Sequence, residues 1–397
     1  MKKSYILGLC GVALSLILWG CGSSSSGQGG GTGTLRVSLI DAAACGFDHV
    51  FVTVSKVRIH QSSNANENDM GWSDIDLPSP KKIDLTSLVN GAFQGLGQTP
   101  LPAGHYEQIR LVLVANTQGD PPNNSVVLSD DPNKTEVALA TPSAVQSGLK
   151  LIHEFDVPAG TLVDLMLDFD ACHSIVKKGN GNGGYLLKPV ISVTPMAVGG
   201  QITGFVDPHL DDHLTPLVNP VVYAEQSGKV VKSTIPDSNG QFTLTPLQES
   251  STAGNYDVVI TADDAAPALI QSVPVTAQGN TAVSTDTAPI TLTGSATHTV
   301  SGNITPSVEA TIRATQTFTS GPTMEVRSTS VTDSYSLTLP VGAPSLGTYG
   351  PLPITFTADG AVAGKYQLEA SADGFSNQTA SVDISGGDVS HDFTLTP

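Results

Sequence analysis

The amino-acid sequence predicts an all-β protein with three β-sandwich-type domains in tandem, after a signal segment and a flexible Ser/Gly tether. Short segments in which apolar and polar residues alternate recur along the chain with turn residues between them, as in half-buried strands. Thr, Ser, Gly and Val are abundant and only 14% of residues are charged, a composition typical of secreted β-rich modules. The chain has 397 residues, enough for two or three such domains.

Residues 1–20 predict a secretory signal. Lys2 and Lys3 precede an apolar run of about fifteen residues. A membrane-spanning helix needs roughly 20 apolar residues, so this run is short for a transmembrane segment.

The end of the run resembles a bacterial lipobox, with Leu18 three residues before Cys21 and the small Gly20 directly before it. Trp19 departs from the small residue usual at its position. The resemblance implies cleavage before Cys21 and acylation, palmitate included, of that residue. An ordinary cleaved signal and an uncut anchor with a chance cysteine are the alternatives. Gly22 is not the Asp of inner-membrane retention, so similarity to Gram-negative sorting favours the outer membrane, facing either the periplasm or the surface.

Residues 21–33 predict a tether, because they are nearly all Ser and Gly after Cys21 and offer no apolar side chain to bury. The signal segment removes two lysines and no acidic residue, which leaves 16 basic and 36 acidic residues and a net charge of −20. Nucleic-acid binding needs basic surfaces, so this balance argues against it.

Cys45 and Cys172 are the two cysteines that remain once Cys10 leaves with the signal and Cys21 carries lipid. In an oxidising compartment we predict that they form a disulfide. Closing such a long loop would contribute roughly 4–5 kcal/mol in the chain-entropy model. Two separate buried thiols are the alternative.

The first predicted domain covers residues 34–196. Leu35, Val37 and Leu39 alternate with polar residues, as in a half-buried strand. A second alternating segment changes phase after Val54, which predicts a β-bulge near Ser55. One or two helical turns are expected over 83–91, ending at Asn90-Gly91. Further strands are predicted over 106–114, 149–157, 162–169 and 185–193, and their spacing favours an antiparallel sandwich.

Three motifs in this region carry a family resemblance: Gly-His-Tyr-Glu-Gln-Ile-Arg-Leu at 104–111, Leu-Asp-Phe-Asp-Ala-Cys-His-Ser-Ile-Val at 167–176, and Tyr-Leu-Leu-Lys-Pro-Val at 185–190. Together with 83–85 and 89–91 they resemble the bacterial domain of unknown function DUF4382. The resemblance implies an exported β-rich domain, often on lipoproteins, and no established activity.

Residues 198–293 and 294–397 predict two related modules. Each opens on a strand, continues with a Phe or Tyr strand and a second Tyr strand, and closes on a Thr-Leu pair. This order is similar to the carboxypeptidase regulatory-like, transthyretin-like sandwich. The second module is more divergent, and its Pro/Gly-rich 340–353 is interpreted as an insertion. Such modules serve as spacers or binding scaffolds, and the fold alone assigns no function.

The densest acidic group comprises Asp164, Asp168 and Asp170, followed by His173. The three carboxylates have the same strand parity, so they are expected on one face while 165, 167 and 169 face the core. Clustered carboxylate oxygens suit Ca²⁺, which makes this a candidate metal site; no other cofactor is expected. A solvated acidic face, or capping of the following segment, is the alternative.

Other candidate residues favour structural roles. His209 and His213 have a spacing that could bind zinc on a helix, but nearby prolines favour a loop. His153 is interpreted as a packed residue. The strand tyrosines are expected in the core or at sandwich corners rather than as sugar platforms: Tyr106, Tyr185, Tyr256 and Tyr366.

The sequence contains no Gly-x-Ser-x-Gly, phosphate-binding loop, dinucleotide fingerprint or haem-attachment motif. We therefore predict a non-enzymatic cell-envelope lipoprotein with a structural or ligand-binding role, attached to the membrane by its lipid. The partner would be a glycan or a protein of unknown identity. The alternatives are a carbohydrate- or peptide-binding accessory protein of a polymer-processing system and, last, a hydrolase that uses Asp168 and Asp170.

Overall fold

The computed structural model describes residues 31–42, 46–116, 121–142, 147–178, 184–196 and 199–397. Cys21, Cys45 and the side chain of Cys172 lie outside this description, so the lipidation and disulfide predictions are not addressed by it. Within the described ranges, no helix has both the length and the apolar character required to cross a membrane.

The described chain is almost entirely β, which confirms the predicted fold class of tandem sandwiches. The first region contains twelve strands: β1 (Thr32–Ala42), β2 (Phe47–His60), β3 (Ser73–Asp84), β4 (Gln94–Pro102), β5 (Gly104–Leu113), β6 (Ser125–Leu128), β7 (Glu136–Ala140), β8 (Leu149–Val157), β9 (Leu162–Asp170), β10 (Ile175–Lys177), β11 (Tyr185–Leu187) and β12 (Ile191–Pro195). Between them lie a 3₁₀ turn, Leu85–Ser87, and helix α1, Ala171–Ser174.

These strands form a sandwich of two sheets. One sheet has the order β12-β9-β1-β4, with β1 and β9 parallel, and the other has the order β10-β11-β7-β6-β2-β5-β8, with β3 also paired to β2. Apolar side chains from both sheets meet in one core. The predicted bulge is confirmed, because the register of β2 against β3 and β5 shifts between Val54 and Lys56. Asn90 and Gly91 have positive φ after the 3₁₀ turn, as the sequence predicted for its end.

The second region contributes seven strands and the short helix α2, Ser250–Ala253: β13 (Gly199–Phe205), β14 (Val218–Gln226), β15 (Lys229–Thr234), β16 (Gln241–Gln248), β17 (Tyr256–Asp263), β18 (Ala268–Val273) and β19 (Asn280–Ala282). The third contributes ten: β20 (Thr297–Thr305), β21 (Ala310–Thr317), β22 (Thr323–Val331), β23 (Ser334–Pro340), β24 (Ser345–Thr348), β25 (Thr357–Ala358), β26 (Lys365–Ser371), β27 (Gln378–Asp383), β28 (Val389–Ser390) and β29 (Phe393–Thr394).

The segment interpreted as an insertion extends the sheet of the preceding module. β24 pairs in parallel with β18, and the six-stranded order is β15-β14-β17-β18-β24-β25. Tyr349 of this segment, and Ile354 and Phe356 directly after it, pack against the core of the second module. The other face of this sheet packs into the core of the third module through Tyr223, Val259 and Leu269. The central sheet is therefore buried on both faces, which links the second and third modules.

Candidate functional site at the junction of the three sandwiches

The three predicted carboxylates lie on one face of strand β9, as the alternation of its residues predicted. Leu165, Leu167 and Phe169 lie in the core of the first sandwich. Asp164, Asp168 and Asp170 lie on the opposite face, because successive strand side chains point to opposite sides. This face turns towards the second and third modules, and each of the three carboxylates binds a different cationic side chain.

Asp164 forms an ion pair with Arg36 of β1, its neighbour in the parallel register, and Arg36 is the more exposed of the two. Arg36 donates to Asp164 Oδ2 from Nε at 3.0 Å and also from Nη2. The two side chains keep 48% and 21% of their surface, so water competes with this pair.

Asp168 forms a buried ion pair with Lys232 of β15 in the second module. Lys232 Nζ donates to Asp168 Oδ1 at 2.6 Å, and the side chains are only 4% and 8% exposed. Ile40 and Met166 on the same face are buried as well. Burial raises the pKa of Asp168, and the ammonium of Lys232 opposes that rise. This pair joins the first two sandwiches in a water-poor interface.

Asp170 caps α1 and orients its histidine. Its Oδ1 accepts from the backbone N–H of His173 at 3.0 Å, and its Oδ2 lies 2.7 Å from His173 Nδ1. His173 Nε2 lies 2.6 Å from Ser328 Oγ and 3.6 Å from Glu325 Oε1, both on β22 of the third module. Burial alone would lower the pKa of His173, but Asp170 and Glu325 outweigh it and raise the pKa to about 10. His173 is therefore an imidazolium at neutral pH.

Glu325 connects His173 to a buried guanidinium. Its Oε2 accepts from Arg313 Nε at 2.5 Å, and Arg313 also donates to Glu369 at 3.2 Å and to the carbonyl of Gly228. Burial would raise the pKa of Glu325, but His173 and Arg313 hold it below its ordinary value. The network thus links side chains of the first and third sandwiches and the backbone of the second.

Two buried acids accompany the network. Asp41 is 1% exposed, and its Oδ1 accepts from Ala171 N–H at 3.1 Å. Glu225 is fully buried, and its Oε2 accepts from the Glu325 N–H at 3.0 Å. In both, burial is the largest cause of a pKa far above the ordinary value. Burial therefore favours the protonated, uncharged form of both acids.

The contacts of His173 resemble a Ser-His-Asp triad, with Asp170 on Nδ1 and the Ser328 hydroxyl on Nε2. Such a triad requires a neutral imidazole that can accept the serine proton. Here both ring nitrogens of a cationic His173 donate, and the Ser328 hydroxyl donates to Glu325 instead. The arrangement therefore acts as an ion-pair node rather than as an activated nucleophile.

A cleft of about 510 Å³ opens beside this node and receives residues from all three modules. Its charged lining includes Lys188, Lys229, Glu309 and Asp373 in addition to the network. Lys188 lies 3.8 Å from Glu309 and 3.5 Å from Asp373. Clefts of this size at domain interfaces are common sites for small ligands.

The predicted calcium site remains a prediction. Among the residues that the structure describes, no group of three or more His, Cys, Asp or Glu side chains is arranged to hold a metal ion. Asp164, Asp168 and Asp170 lie on one face, and each is engaged by its own cation.

The other candidate residues that the sequence offered have contacts typical of structural roles. His209 and His213 lie in a loop, where Asp212 accepts from the Leu214 and Thr215 N–H groups. His153 is half-buried beside Phe155. Three tyrosines are buried and donate to backbone carbonyls, as expected for packing residues: Tyr106 to Pro102, Tyr256 to Gln248 and Tyr366 to Pro340.

The sequence did not identify Lys232, Arg313, Glu325 or Ser328, which reach the β9–α1 segment from modules far along the chain. Lys232 lies in a mixed strand, Lys-Val-Val-Lys-Ser-Thr, whose pattern indicates neither its burial nor its partner.

Comparisons with known proteins found one family match and several weak structural similarities. Among solved structures, the Bacillus anthracis TIE protein is 12% identical, with 92% of this chain and 51% of that chain covered and a TM-score of 0.18. The chain thus spans about half the length of that protein. A streptococcal ancillary pilin is 7% identical, with 92% and 99% covered and a TM-score of 0.17. A Corynebacterium diphtheriae major pilin is 11% identical, with 91% and 100% covered and a TM-score of 0.18.

No curated protein matches the chain. Residues 32–189 match the family model described as domain of unknown function DUF4382. The first sandwich is therefore a DUF4382 domain, as its sequence motifs predicted.

Proposed function

We propose that this protein is a non-catalytic structural lipoprotein of the bacterial cell envelope, anchored through Cys21 and facing the periplasm or the cell surface. The single observation that carries the structural role is the junction network. In this network Asp168 binds Lys232 of the second module, and His173 contacts Ser328 and Glu325 of the third. These contacts favour a stiff three-sandwich unit on a flexible Ser/Gly tether.

The anchor is tested by Cys21→Ser. Acyl chains hold a protein to a membrane by burying CH₂ groups at about 0.8 kcal/mol each, so the variant should appear in the soluble fraction. Membrane fractionation followed by immunoblotting measures this. Ser24→Ala in the tether is the matched control and should stay with the membrane. A Cys21→Ser protein that remains membrane-bound contradicts the lipid anchor.

The non-catalytic role is tested with a panel of ester, peptide and glycoside substrates. Turnover that disappears in both Ser328→Ala and Asp168→Asn, in protein that remains folded, would replace our proposal by a hydrolase. Absence of turnover above a denatured control agrees with it.

A second candidate, binding of a glycan or peptide, is favoured by the junction cleft. Lys229 lines the cleft and is exposed, so a ligand there can reach its ammonium. Retention of the protein on immobilised glycans or peptides, lost in Lys229→Ala and kept in the distant Lys150→Ala, would support this role.

A further inference from the structure

The Lys232–Asp168 pair is more deeply buried than other close lysine–carboxylate pairs in the described part of the chain. Lys82 and Glu136 approach to 2.7 Å, a similar distance, but their side chains remain 30% and 25% exposed. Lys232 and Asp168 are 4% and 8% exposed at 2.6 Å. A solvated pair is held as two ions, whereas a buried pair carries a desolvation cost that can exceed its Coulombic attraction.

The surroundings of this pair disfavour charge. Ile40 and Met166 lie on the same face of the sheet and are buried. Burial raises the pKa of Asp168 and, more strongly, that of Asp41, an acid that interacts electrostatically with Asp168 and Lys232. Burial therefore favours the uncharged carboxylic acid of Asp168 more than at a solvated pair.

From this geometry we propose that Lys232 and Asp168 condense to an intramolecular amide that covalently joins the DUF4382 domain to the second sandwich. A proton passes from the ammonium to the carboxylate. The lone pair of Lys232 Nζ then attacks Asp168 Cγ, a new N–C bond forms, and one C–O bond breaks. The oxygen leaves as water with the two protons that the nitrogen loses, so no oxidant, reductant or other reactant is needed.

The amide would replace two buried charges by a neutral group with one donor and one acceptor. This removes the desolvation cost of both ions, and escape of the released water to solvent opposes the reverse reaction. The bond would fix the first two modules relative to one another, independently of the acyl anchor and of any ligand in the cleft.

Trypsin digestion and mass spectrometry of the full-length protein, reduced and alkylated so that Cys172 cannot hold peptides together, provide the test. Trypsin does not cleave after an acylated lysine. The amide therefore predicts a linked species made of residues 151–177 and 230–313, lighter than the two peptides together by one water. Cleavage after Lys82, of the solvated pair, should remain complete.

Lys232→Arg is the matched variant, because it keeps the positive charge while its guanidinium forms no such amide. It should yield residues 151–177 as a separate, unmodified peptide. Complete cleavage after Lys232 in the wild type, with 151–177 and 233–313 at their full masses, overturns the proposal. The wild-type digest decides the question even where a variant fails to fold.

Discussion

The two ends of β9 carry chemically similar ion pairs in opposite environments. Asp164 and Arg36 meet at the outer end, where both side chains reach water. Asp168, four residues later on the same face, meets Lys232 under the second sandwich, where neither does. Strand parity decides on which face of the sheet a carboxylate lies. Packing of the neighbouring module decides whether the ion pair of that carboxylate is buried, and so whether it contributes to stability.

The largest expected effect comes from removing one partner of the buried pair. Lys232→Ala removes the partner of Asp168 and leaves that acid unpaired in a covered interface, which should lower the free energy of unfolding by about 3–5 kcal/mol. Urea denaturation monitored by circular dichroism measures the change. Lys229→Ala on the same strand is the control, because an exposed substitution typically changes stability by less than about 0.5 kcal/mol. Equal effects of the two variants would remove the contrast between buried and exposed positions.

The contribution of His173 to the stability of the folded protein is expected to depend on pH. Its pKa rises from 6.5 in the unfolded chain to about 10 in the folded protein. A raised pKa stabilises the folded state fully below pH 6.5, and this contribution is lost as the pH rises through about 10. We expect His173→Gln to flatten the fall of stability between neutral pH and pH 10 by roughly 3–4 kcal/mol, since one unit of pKa corresponds to about 1.4 kcal/mol.

Urea midpoints measured at intervals between neutral pH and pH 10 give this slope for the wild type and the variant. His213→Gln, in an exposed loop, should keep the wild-type slope. An unchanged slope in His173→Gln would mean that His173 does not hold its proton in the folded protein.

The smallest effect is expected at the exposed pair. Arg36→Ala should change the free energy of unfolding least of these variants, because exposed ion pairs are screened and their side chains lose entropy on pairing. The difference should shrink further in high salt, which screens solvated charges. A loss as large as that of Lys232→Ala would contradict the assignment of this pair to solvent.

Local patterns predicted much of the first sandwich. Alternation located the strands containing Leu35 and Leu165, the phase change after Val54 marked the bulge, and Asn90-Gly91 marked the end of a turn. These features depend on neighbours a few residues away, and therefore the chain itself carries the information. The same alternation placed the carboxylates of β9 on one face.

The partners of those carboxylates could not be predicted in this way. Lys232 and Glu325 are 64 and more than 150 residues away from Asp168 and His173, respectively, and no local period relates them. The triad-like geometry of Ser328 and His173 was missed for the same reason, since Ser328 lies within an ordinary strand pattern.

The sequence by itself determined the β class, the DUF4382 motifs and the parity of the acidic face, because strand geometry and turn chemistry act over a few residues. Only the tertiary structure decided that β24 completes the sheet of the preceding module and that Asp168 is buried against Lys232. Charge state follows from burial and from contacts between distant segments. The functional reading of the acidic segment therefore depends on how the three sandwiches pack.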